Sequence, residues 1–344
     1  MRKICICGGG CTGHVMAGYL SANKKAVMNV LTSRPWMWSK ELTINLPDGG
    51  KIFGRLDKVS DNPEDVVADC DIVLLCLPGF AIKDELMKIK PFVRPGTFVG
   101  SVFSSTGFFF EAMKLFDDDI FLFGFQRVPF ISRIAEYGKE ANLMGFKNSL
   151  NIAVENASDK ESFRKDIETM LDVPVTLLKN YYEASFTNSN PILHPARLYS
   201  MFGKWHEGEV FDHNIAFYEE WDDTASQLLI DMDAEFFRMN AMLPVRKDYL
   251  PTLLDYYEST DAQSLTRKIS SIQGFKGIMS PMKKVAEGWV PDFKSRYFTE
   301  DFPFGLRYIY EKARSLGVET PVIGKVYEWG MNMYEKYSFP VAHR

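Results

Sequence analysis

The sequence lacks the features that mark membrane and nucleic-acid-binding proteins. None of its apolar runs approaches the roughly 20 residues that a membrane-spanning helix needs. A formal net charge of -5 at pH 7 offers no excess of positive charge for nucleic acid or an anionic membrane surface. The only apolar stretch before the first glycines is Ile4 to Cys7, which is too short for a secretory signal. These absences predict a cytoplasmic protein with neither a membrane nor a nucleic-acid partner.

Cysteine and histidine are both scarce, with 5 of each. An odd number of cysteines, none of them beyond residue 76, makes a poor disulfide framework. No Cys-x-x-Cys pair occurs with a histidine at ligand spacing, so we expect buried thiols and no metal site. His206 and His213 flank what resembles an ordinary turn, which does not change that expectation.

The pattern of apolar residues changes along the 344 residues, a length that is sufficient for two domains. Short apolar runs dominate the first part, whereas Ala225 to Met239 and Leu306 to Leu316 have apolar residues at helical spacing. The sequence therefore predicts an α/β fold, a doubly wound domain over residues 1–180 followed by a mostly α-helical domain over residues 181–344.

A glycine-rich turn follows the first predicted strand. Arg2 to Cys7 is a short apolar strand, His14 to Ser21 has helical character, and Ala26 to Leu31 is a second apolar run. In this context the first glycine permits a tight turn, the second lets the backbone approach a pyrophosphate, and the third lets the helix pack closely on the sheet. This order predicts a Rossmann-type dinucleotide-binding domain. The predicted cofactor-binding residues of the turn are Gly8, Gly10, Cys11, Thr12 and Gly13. We interpret His14 as a cofactor-shell or surface residue.

The residues after the second strand bear on the choice of cofactor. An NAD site usually has an acidic residue about 20 residues after the glycines, to hold the ribose 2′-hydroxyl. Here the chain has Thr32, Ser33 and Arg34, which offer hydroxyl donors and a guanidinium to a 2′-phosphate. NADPH is therefore the expected cofactor and NADH the alternative. Pro78, at the end of a strongly apolar strand, is predicted to lie beside the same cofactor.

Two segments of the second half carry residues suited to catalysis. Asn190 and His194 are four positions apart and would share one face of a helix, with Pro191 in its first turn. Spacing alone leaves open whether His194 is structural or catalytic. In a second segment Arg296 is followed within a few residues by Asp301. The acidic residues there could simply cap a helix, but that would not explain the arginine.

These segments resemble the opine dehydrogenases of the octopine and nopaline dehydrogenase type, a family related to the 6-phosphogluconate dehydrogenase-like reductases. The resemblance depends on Asn190-Pro191-Ile192-Leu193-His194-Pro195 and on the run from Arg296 through Thr299-Glu300-Asp301-Phe302-Pro303 to Leu306. Weaker support comes from Pro129-x-x-x-Arg133 and from Phe217-Tyr218-Glu219-Glu220. The sequence departs from the family where octopine-type enzymes have a tryptophan after a proline, because Phe130 follows Pro129 here.

The resemblance implies reductive condensation of an α-keto acid, such as pyruvate, with the amine of an amino acid, driven by NAD(P)H. It assigns His194 as the acid/base residue and Asp301 as the partner that fixes its tautomer. Arg296 would bind a substrate carboxylate and Asn190 would position a substrate or the nicotinamide. The substrate is expected in a cleft between the domains, and a homodimer is possible. Further candidates for substrate contact are Gln126, Arg133 and Arg197.

Two other functions are compatible with the same residues. A ketopantoate or hydroxy-acid reductase would use the His–Asp pair to reduce a carbonyl without any amine. Ketopantoate reductases, however, resemble one another in using a lysine near the domain junction, and His194 takes that place here. A catalytically silent NADP-binding regulator would be expected to lack one of the three groups that the resemblance assigns to catalysis.

Overall fold

A computed structural model describes residues 1–22 and 26–338, and the chain divides into two compact units. The first unit is Met1–Thr187 and the second begins at Asn188. The sequence placed the boundary after residue 180. The first unit extends further because the short helix Tyr181–Ser185 packs on its strands.

The first unit is built on a large twisted sheet and a smaller one. Its strands are β1 (Arg2–Cys7), β2 (Ala26–Leu31), β3 (Glu41–Asn45), β4 (Lys51–Arg55), β5 (Lys58–Ser60), β6 (Ile72–Leu75), β7 (Phe98–Ser101), β8 (Phe121–Phe125), β9 (Phe130–Glu136), β10 (Glu140–Phe146), β11 (Leu150–Glu155) and β12 (Val175–Leu177). The large sheet has the order β12-β11-β8-β7-β6-β1-β2-β5. Its strands β5, β2, β1, β6, β7 and β8 are parallel, and β11 pairs antiparallel with β8.

Strand β1 lies in the middle of this sheet, and its side chains alternate between two apolar cores. Ile4 and Ile6 enter one core, whereas Cys5 and Cys7 enter the other. A strand buried on both faces needs apolar residues at successive positions, which explains the continuous apolar run Ile4 to Cys7 in the buried part of β1. All five cysteines are free thiols, and Cys5, Cys7 and Cys70 are buried. The expectation of structural thiols is confirmed for these three.

Helices cover both faces of the large sheet. They are α1 (Cys11–Ala22), α2 (Pro63–Val66), α3 (Gly79–Ile89), α4 (Phe108–Leu115), α5 (Lys160–Leu171) and α6 (Tyr181–Ser185). The smaller sheet, in the order β4-β3-β10-β9, packs on α1. The close approach depends on Gly18, where a Cβ would lie 2.6 Å from the side chain of Ile44. The first unit is thus the doubly wound, Rossmann-type domain that the sequence predicted, with a second sheet added to it.

The second unit is mostly helical, as predicted. Its helices are α7 (Asn190–Phe202), α8 (Asp223–Asn240), α9 (Leu253–Tyr256), α10 (Ala262–Ser271), α11 (Arg296–Thr299), α12 (Arg307–Ser315) and α13 (Pro321–Ser338). A two-stranded hairpin, β13 (Met282–Val285) with β14 (Gly288–Pro291), precedes α11. A π-helical turn, Phe302–Leu306, joins α11 to α12. No helix in the described parts of the chain is both long and apolar enough to cross a membrane.

Candidate active site

Gly8, Gly10 and Gly13 of the glycine turn have three different geometric roles. Gly8 has φ +118°, and a Cβ there would lie 2.7 Å from the carbonyl oxygen of Cys76, which directly follows β6. A Cβ on Gly13 would collide with the carbonyl oxygen of Gly8, so this glycine lets α1 start directly against the turn. Gly10 has open space around its Cβ position. The turn is therefore built for close packing at its first and third glycines and is open at its second, which suits an approaching pyrophosphate.

A cavity of about 390 Å³ lies beside this turn. It is lined by Gly8, Gly9, Leu31, Thr32, Ser33, Arg34, Leu77, Glu85, Lys88 and Tyr137. The side chains of Ser33 and Arg34 are exposed, whereas Thr32 is buried and its hydroxyl accepts the backbone N–H of Arg34 at 3.4 Å. Pro78 caps the start of α3, and Cys11 and Thr12 form the half-buried first turn of α1. The residues of this cavity fit the adenosine end of a dinucleotide.

Charge in the cavity is mixed. Arg34 and Lys88 contribute cations, and Glu85 contributes a carboxylate. Burial raises the pKa of Glu85, and the nearby Lys88 opposes that shift. Glu85 was not predicted from the sequence, because it lies on α3 and not at the end of β2, where the acidic residue of an NAD site is expected.

The second candidate centre is His194, in the first half of α7. Its Nδ1 lies 2.8 Å from Oδ2 of Asp301, and only 9% of the residue is exposed. Because a carboxylate can only accept, Nδ1 carries the proton and donates it to Asp301. The two residues are 107 positions apart in the chain, and the fold brings them into contact. Nε2 is then the nitrogen that can exchange a proton with a reacting group.

The π-helical turn explains how Asp301 reaches His194. Asp301 precedes the turn, and its carbonyl accepts the N–H of Leu306 at 2.7 Å. Its carboxylate caps no backbone N–H of that turn, so the capping role considered for it does not apply. A Cβ on Gly305 would lie 2.9 Å from the ring of Pro191, so glycine allows the turn to pack against the start of α7. Turns of this kind occur often at functional sites.

Aromatic residues surround the imidazole. The Tyr218 hydroxyl lies 3.0 Å from Nε2 of His194, and the rings of Phe217 and Tyr297 lie 5.6 Å and 4.8 Å from the imidazole, both edge-on. Burial, reinforced by the nearby Tyr297, Tyr257 and Asp301, raises the pKa of Tyr218 well above its ordinary value. Tyr218 therefore stays protonated and donates to Nε2. Tyr218 and Tyr297 both lie within the family motifs of the sequence, but their spacing gave no reason to select them.

The side chains of Arg296 and Asn190 are both exposed. Arg296 begins α11, directly before Tyr297, which contacts His194. Its guanidinium makes no hydrogen bond or ion pair with any other residue that the structure describes. Asn190 begins α7, one helical turn before His194, as its spacing predicted. Both side chains are accessible to a ligand.

The structure corrects the prediction for Arg197. This side chain is only 1% exposed, and its guanidinium donates to the carbonyls of Phe217 at 3.0 Å and Glu220 at 2.6 Å. It also bonds to the carboxylate of Asp222 at 3.3 Å. A buried guanidinium with these partners is a structural clamp and not a contact for substrate. It fixes the loop that carries Tyr218, and burial lowers its pKa.

Gln126 is likewise engaged within its own unit. Its amide donates to the carbonyl of Glu183 at 3.2 Å and accepts from Asn151 at 2.8 Å, while the side chain stays only half-buried. The prediction that Gln126 contacts substrate stays a prediction. Arg133 is exposed on β9 of the smaller sheet, and its guanidinium donates to the carbonyl of Ser132 at 2.9 Å. The prediction that Arg133 contacts substrate stays a prediction.

Comparison with known proteins identifies the relatives of this chain. Residues 177–334 match the family model described as NAD/NADP octopine/nopaline dehydrogenase, alpha-helical domain. Tauropine dehydrogenase from Arabella iricolor is 30% identical, over 98% of this chain and 92% of that protein. Octopine dehydrogenase from Pecten maximus is 26% identical, over 97% of this chain and 90% of its own length.

A solved structure of octopine dehydrogenase with NADH and L-arginine is similar to the fold, with a TM-score of 0.84. It is 24% identical, and the match covers 96% of this chain and 89% of that one. This likeness shows the fold, and the similarity to tauropine dehydrogenase over nearly the whole chain shows the family. The chain belongs to the octopine/nopaline dehydrogenase family of oxidoreductases, which act on CH–NH bonds with a nicotinamide dinucleotide.

Proposed function

We propose that this protein is an NAD(P)H-dependent opine dehydrogenase in which His194 and Asp301 perform the acid/base chemistry. In the overall reaction an α-keto acid, an amino acid, NAD(P)H and a proton give a secondary amine, NAD(P)⁺ and water. The observation that carries the proposal is the hydrogen bond from Nδ1 of His194 to Asp301. It makes Nε2, to which the Tyr218 hydroxyl now donates, the nitrogen that exchanges a proton once a reacting group takes the place of that hydroxyl. The family of the chain favours this reaction over reduction of a keto acid alone.

The proton transfers can be written with the residues of the chain. The amine attacks the keto-acid carbonyl, and Nε2 of His194 accepts a proton from the nitrogen and passes it to the alkoxide oxygen, which gives a carbinolamine. His194 then donates a second proton, taken up from solvent, to the carbinolamine hydroxyl, which leaves as water and yields the protonated imine. Asp301 stabilises the imidazolium that forms between these steps, since its carboxylate already accepts from Nδ1. When bound, the reduced dinucleotide supplies the hydride for the imine carbon.

Arg296 is proposed to bind a substrate carboxylate. Its support is an exposed guanidinium free of partners among the described residues, next in sequence to a tyrosine that contacts His194. A planar guanidinium binds a carboxylate through two parallel hydrogen bonds, which orients the substrate as well as attracting it. Asn190 is proposed to add a neutral hydrogen bond to the substrate from the adjacent helix start.

NADPH is the proposed preferred cofactor, with NADH as the alternative. The exposed Ser33 and Arg34, with Lys88 in the same cavity, provide donors for a 2′-phosphate. Glu85 opposes this preference, since a carboxylate can instead accept from a ribose 2′-hydroxyl.

The substitution Arg34→Gln tests the preference. It is expected to raise the Kd for NADPH at least tenfold more than the Kd for NADH, with both measured by quenching of protein fluorescence. An equal effect on both dinucleotides would contradict the preference.

The function itself is tested by following NADPH oxidation with pyruvate, first alone and then with basic, neutral and aromatic amino acids. Turnover that depends on the amine is expected. An equal rate without amine would instead indicate a 2-keto acid reductase. Absence of turnover with every keto acid, despite dinucleotide binding, would indicate a silent regulator. The homodimer and the cytoplasmic location stay predictions, and size-exclusion chromatography tests the first.

A further inference from the structure

A buried histidine joins the glycine turn to the hairpin between β9 and β10. His14 is 0% exposed, which excludes the surface position and leaves the cofactor-shell alternative of its interpretation as a prediction. Its Nδ1 lies 3.0 Å from the carbonyl oxygen of Gly10, and its Nε2 accepts the backbone N–H of Gly138 at 2.8 Å. Because a carbonyl only accepts, Nδ1 carries the proton. Burial lowers the pKa of His14, which favours this neutral form.

The hairpin tip is held from a second side as well. Gly138 has φ +75°, and its carbonyl accepts the N–H of Ser39 at 2.9 Å. A Cβ at Gly138 would collide with the carbonyl oxygen of Met37, so only glycine allows the tip to approach so closely. The tip is therefore fixed to both the glycine turn and the segment that follows β2.

This arrangement places Tyr137 over the glycine turn. The Tyr137 ring lies edge-on to His14 and Trp38, at 5.1 Å and 6.0 Å. A Cβ added to Gly9 would collide with the Tyr137 hydroxyl and lie 3.1 Å from Oγ1 of Thr32. The two hydroxyls thus flank the same backbone position in the wall of the 390 Å³ cavity. The Tyr137 hydroxyl has no hydrogen-bond partner among the residues that the structure describes.

We propose that Tyr137 is a cofactor-binding residue whose hydroxyl hydrogen-bonds the adenosine ribose of the dinucleotide. The inference rests on the proposed function, because it presumes that the glycine turn holds a dinucleotide. In this fold the residue at the end of β2 meets the ribose, and Thr32 directly follows β2. Tyr137 reaches the same place from the other sheet. A phenol both donates and accepts, so it can serve a sugar hydroxyl without a charged partner.

A neutral contact to the ribose predicts equal effects on both dinucleotides. Tyr137→Phe keeps the ring that packs on His14 and removes only the hydroxyl. Loss of one such hydrogen bond is expected to raise the Kd of NADH and of NADPH by about fivefold each. ADP-ribose has the adenosine ribose and lacks nicotinamide. Its inhibition constant in competition with the dinucleotide should rise by a similar factor. Tyr19→Phe is the matched control in the same unit, since Tyr19 lies outside the cavity.

The measurements are fluorescence titrations of the full chain, together with kcat at saturating dinucleotide. Unchanged Kd values for NADH and NADPH in Tyr137→Phe would overturn the inference while leaving the proposed function in place. A loss of affinity for NADPH alone would also overturn the inference, because the hydroxyl would then contact the 2′-phosphate and not the ribose. So would a fall in kcat as large as the loss of affinity, since that indicates general distortion. If the wild-type chain binds no dinucleotide, the proposed function fails as well.

Discussion

The hydroxyl of Tyr218 lies 3.0 Å from Nε2 of His194, on the nitrogen that Asp301 leaves available. The phenol is held in place by stacking on Phe275, with ring centroids 4.1 Å apart. Both imidazole nitrogens are therefore hydrogen-bonded, and the tautomer of the neutral ring is fixed from two sides. This gives a direct test of whether the ordering of His194 contributes to turnover.

Tyr218→Phe is expected to lower kcat by about tenfold, because the imidazole loses one of the two hydrogen bonds that fix it. The Kd for the dinucleotide should not change, since this residue lies in the second unit. Steady-state kinetics with pyruvate and an active amine provide the measurement. Tyr256→Phe, at a residue that is 64% exposed, is the control. Wild-type kcat in Tyr218→Phe would show that the contact does not matter for turnover.

His194→Ala is expected to lower kcat by about 10²- to 10⁴-fold with nearly intact dinucleotide binding, because it removes the acid/base group. Asp301→Asn should cause a loss of similar order, since an amide cannot stabilise the imidazolium as a carboxylate does. The double variant should be little worse than His194→Ala, because the two residues act as one unit. If the loss of kcat in the double variant equals the product of the two single losses, Asp301 acts independently of His194.

Arg296→Gln is expected to raise the KM for the keto acid by about 10- to 100-fold, through loss of a bidentate carboxylate contact. Arg296→Lys should recover only part of this, because an ammonium group cannot make the paired hydrogen bonds. Lys294→Gln, at an exposed cation two residues away, is the matched control for a simple loss of charge. Equal effects of the substitutions at 294 and 296 would reduce the role of Arg296 to general electrostatic attraction.

His14 predicts a specific dependence of stability on pH. Its pKa in the folded chain is lowered by burial from the ordinary value of 6.5, so the unfolded chain binds a proton first as pH falls. The free energy of unfolding should therefore decrease below about pH 6.5 and level off once pH passes the folded pKa. Urea unfolding at pH 7.5 and pH 5.5 measures the decrease for the wild type and for His14→Gln.

The decrease should be smaller in His14→Gln, which has no group to titrate at this position. His206→Gln, in which an 80% exposed imidazole is removed, should resemble the wild type. If His14→Gln loses as much stability on acidification as the wild type does, His14 is not the source of the pH dependence.

Several elements were predictable because their signals are local. Strands β1 and β2 occupy the predicted residues, and α7 starts at Asn190 as its proline and spacing indicated. The smaller sheet was not predicted as a sheet. Its strand β3 pairs with β4, the next along the chain, but also with β10, about 97 residues away. Such a pairing leaves no local trace in either segment.

The functional residues also divide into those that local sequence signals could relate and those that only distant contacts bring together. Residues within one motif, such as Asn190 and His194, could be related through helix geometry. The burial of Arg197 could not be foreseen, because its partners in the 217–222 segment are 20 or more positions away. Sequence spacing also could not reveal that Tyr137 lies over the glycine turn, since the bridge through His14 spans 124 positions.

The sequence by itself determined the glycine turn, the strand and helix around it, the helical second half, and the family motifs with His194, Arg296 and Asp301. These follow from backbone conformation, from the periodicity of apolar residues and from short runs of specific residue types, all of which act over a few positions. Only the tertiary structure decided which polar groups remain available. It engaged the buried Arg197 in internal hydrogen bonds and brought the hydroxyls of Tyr218 and Tyr137 to the two sites, because burial and contact depend on segments that are distant in the chain.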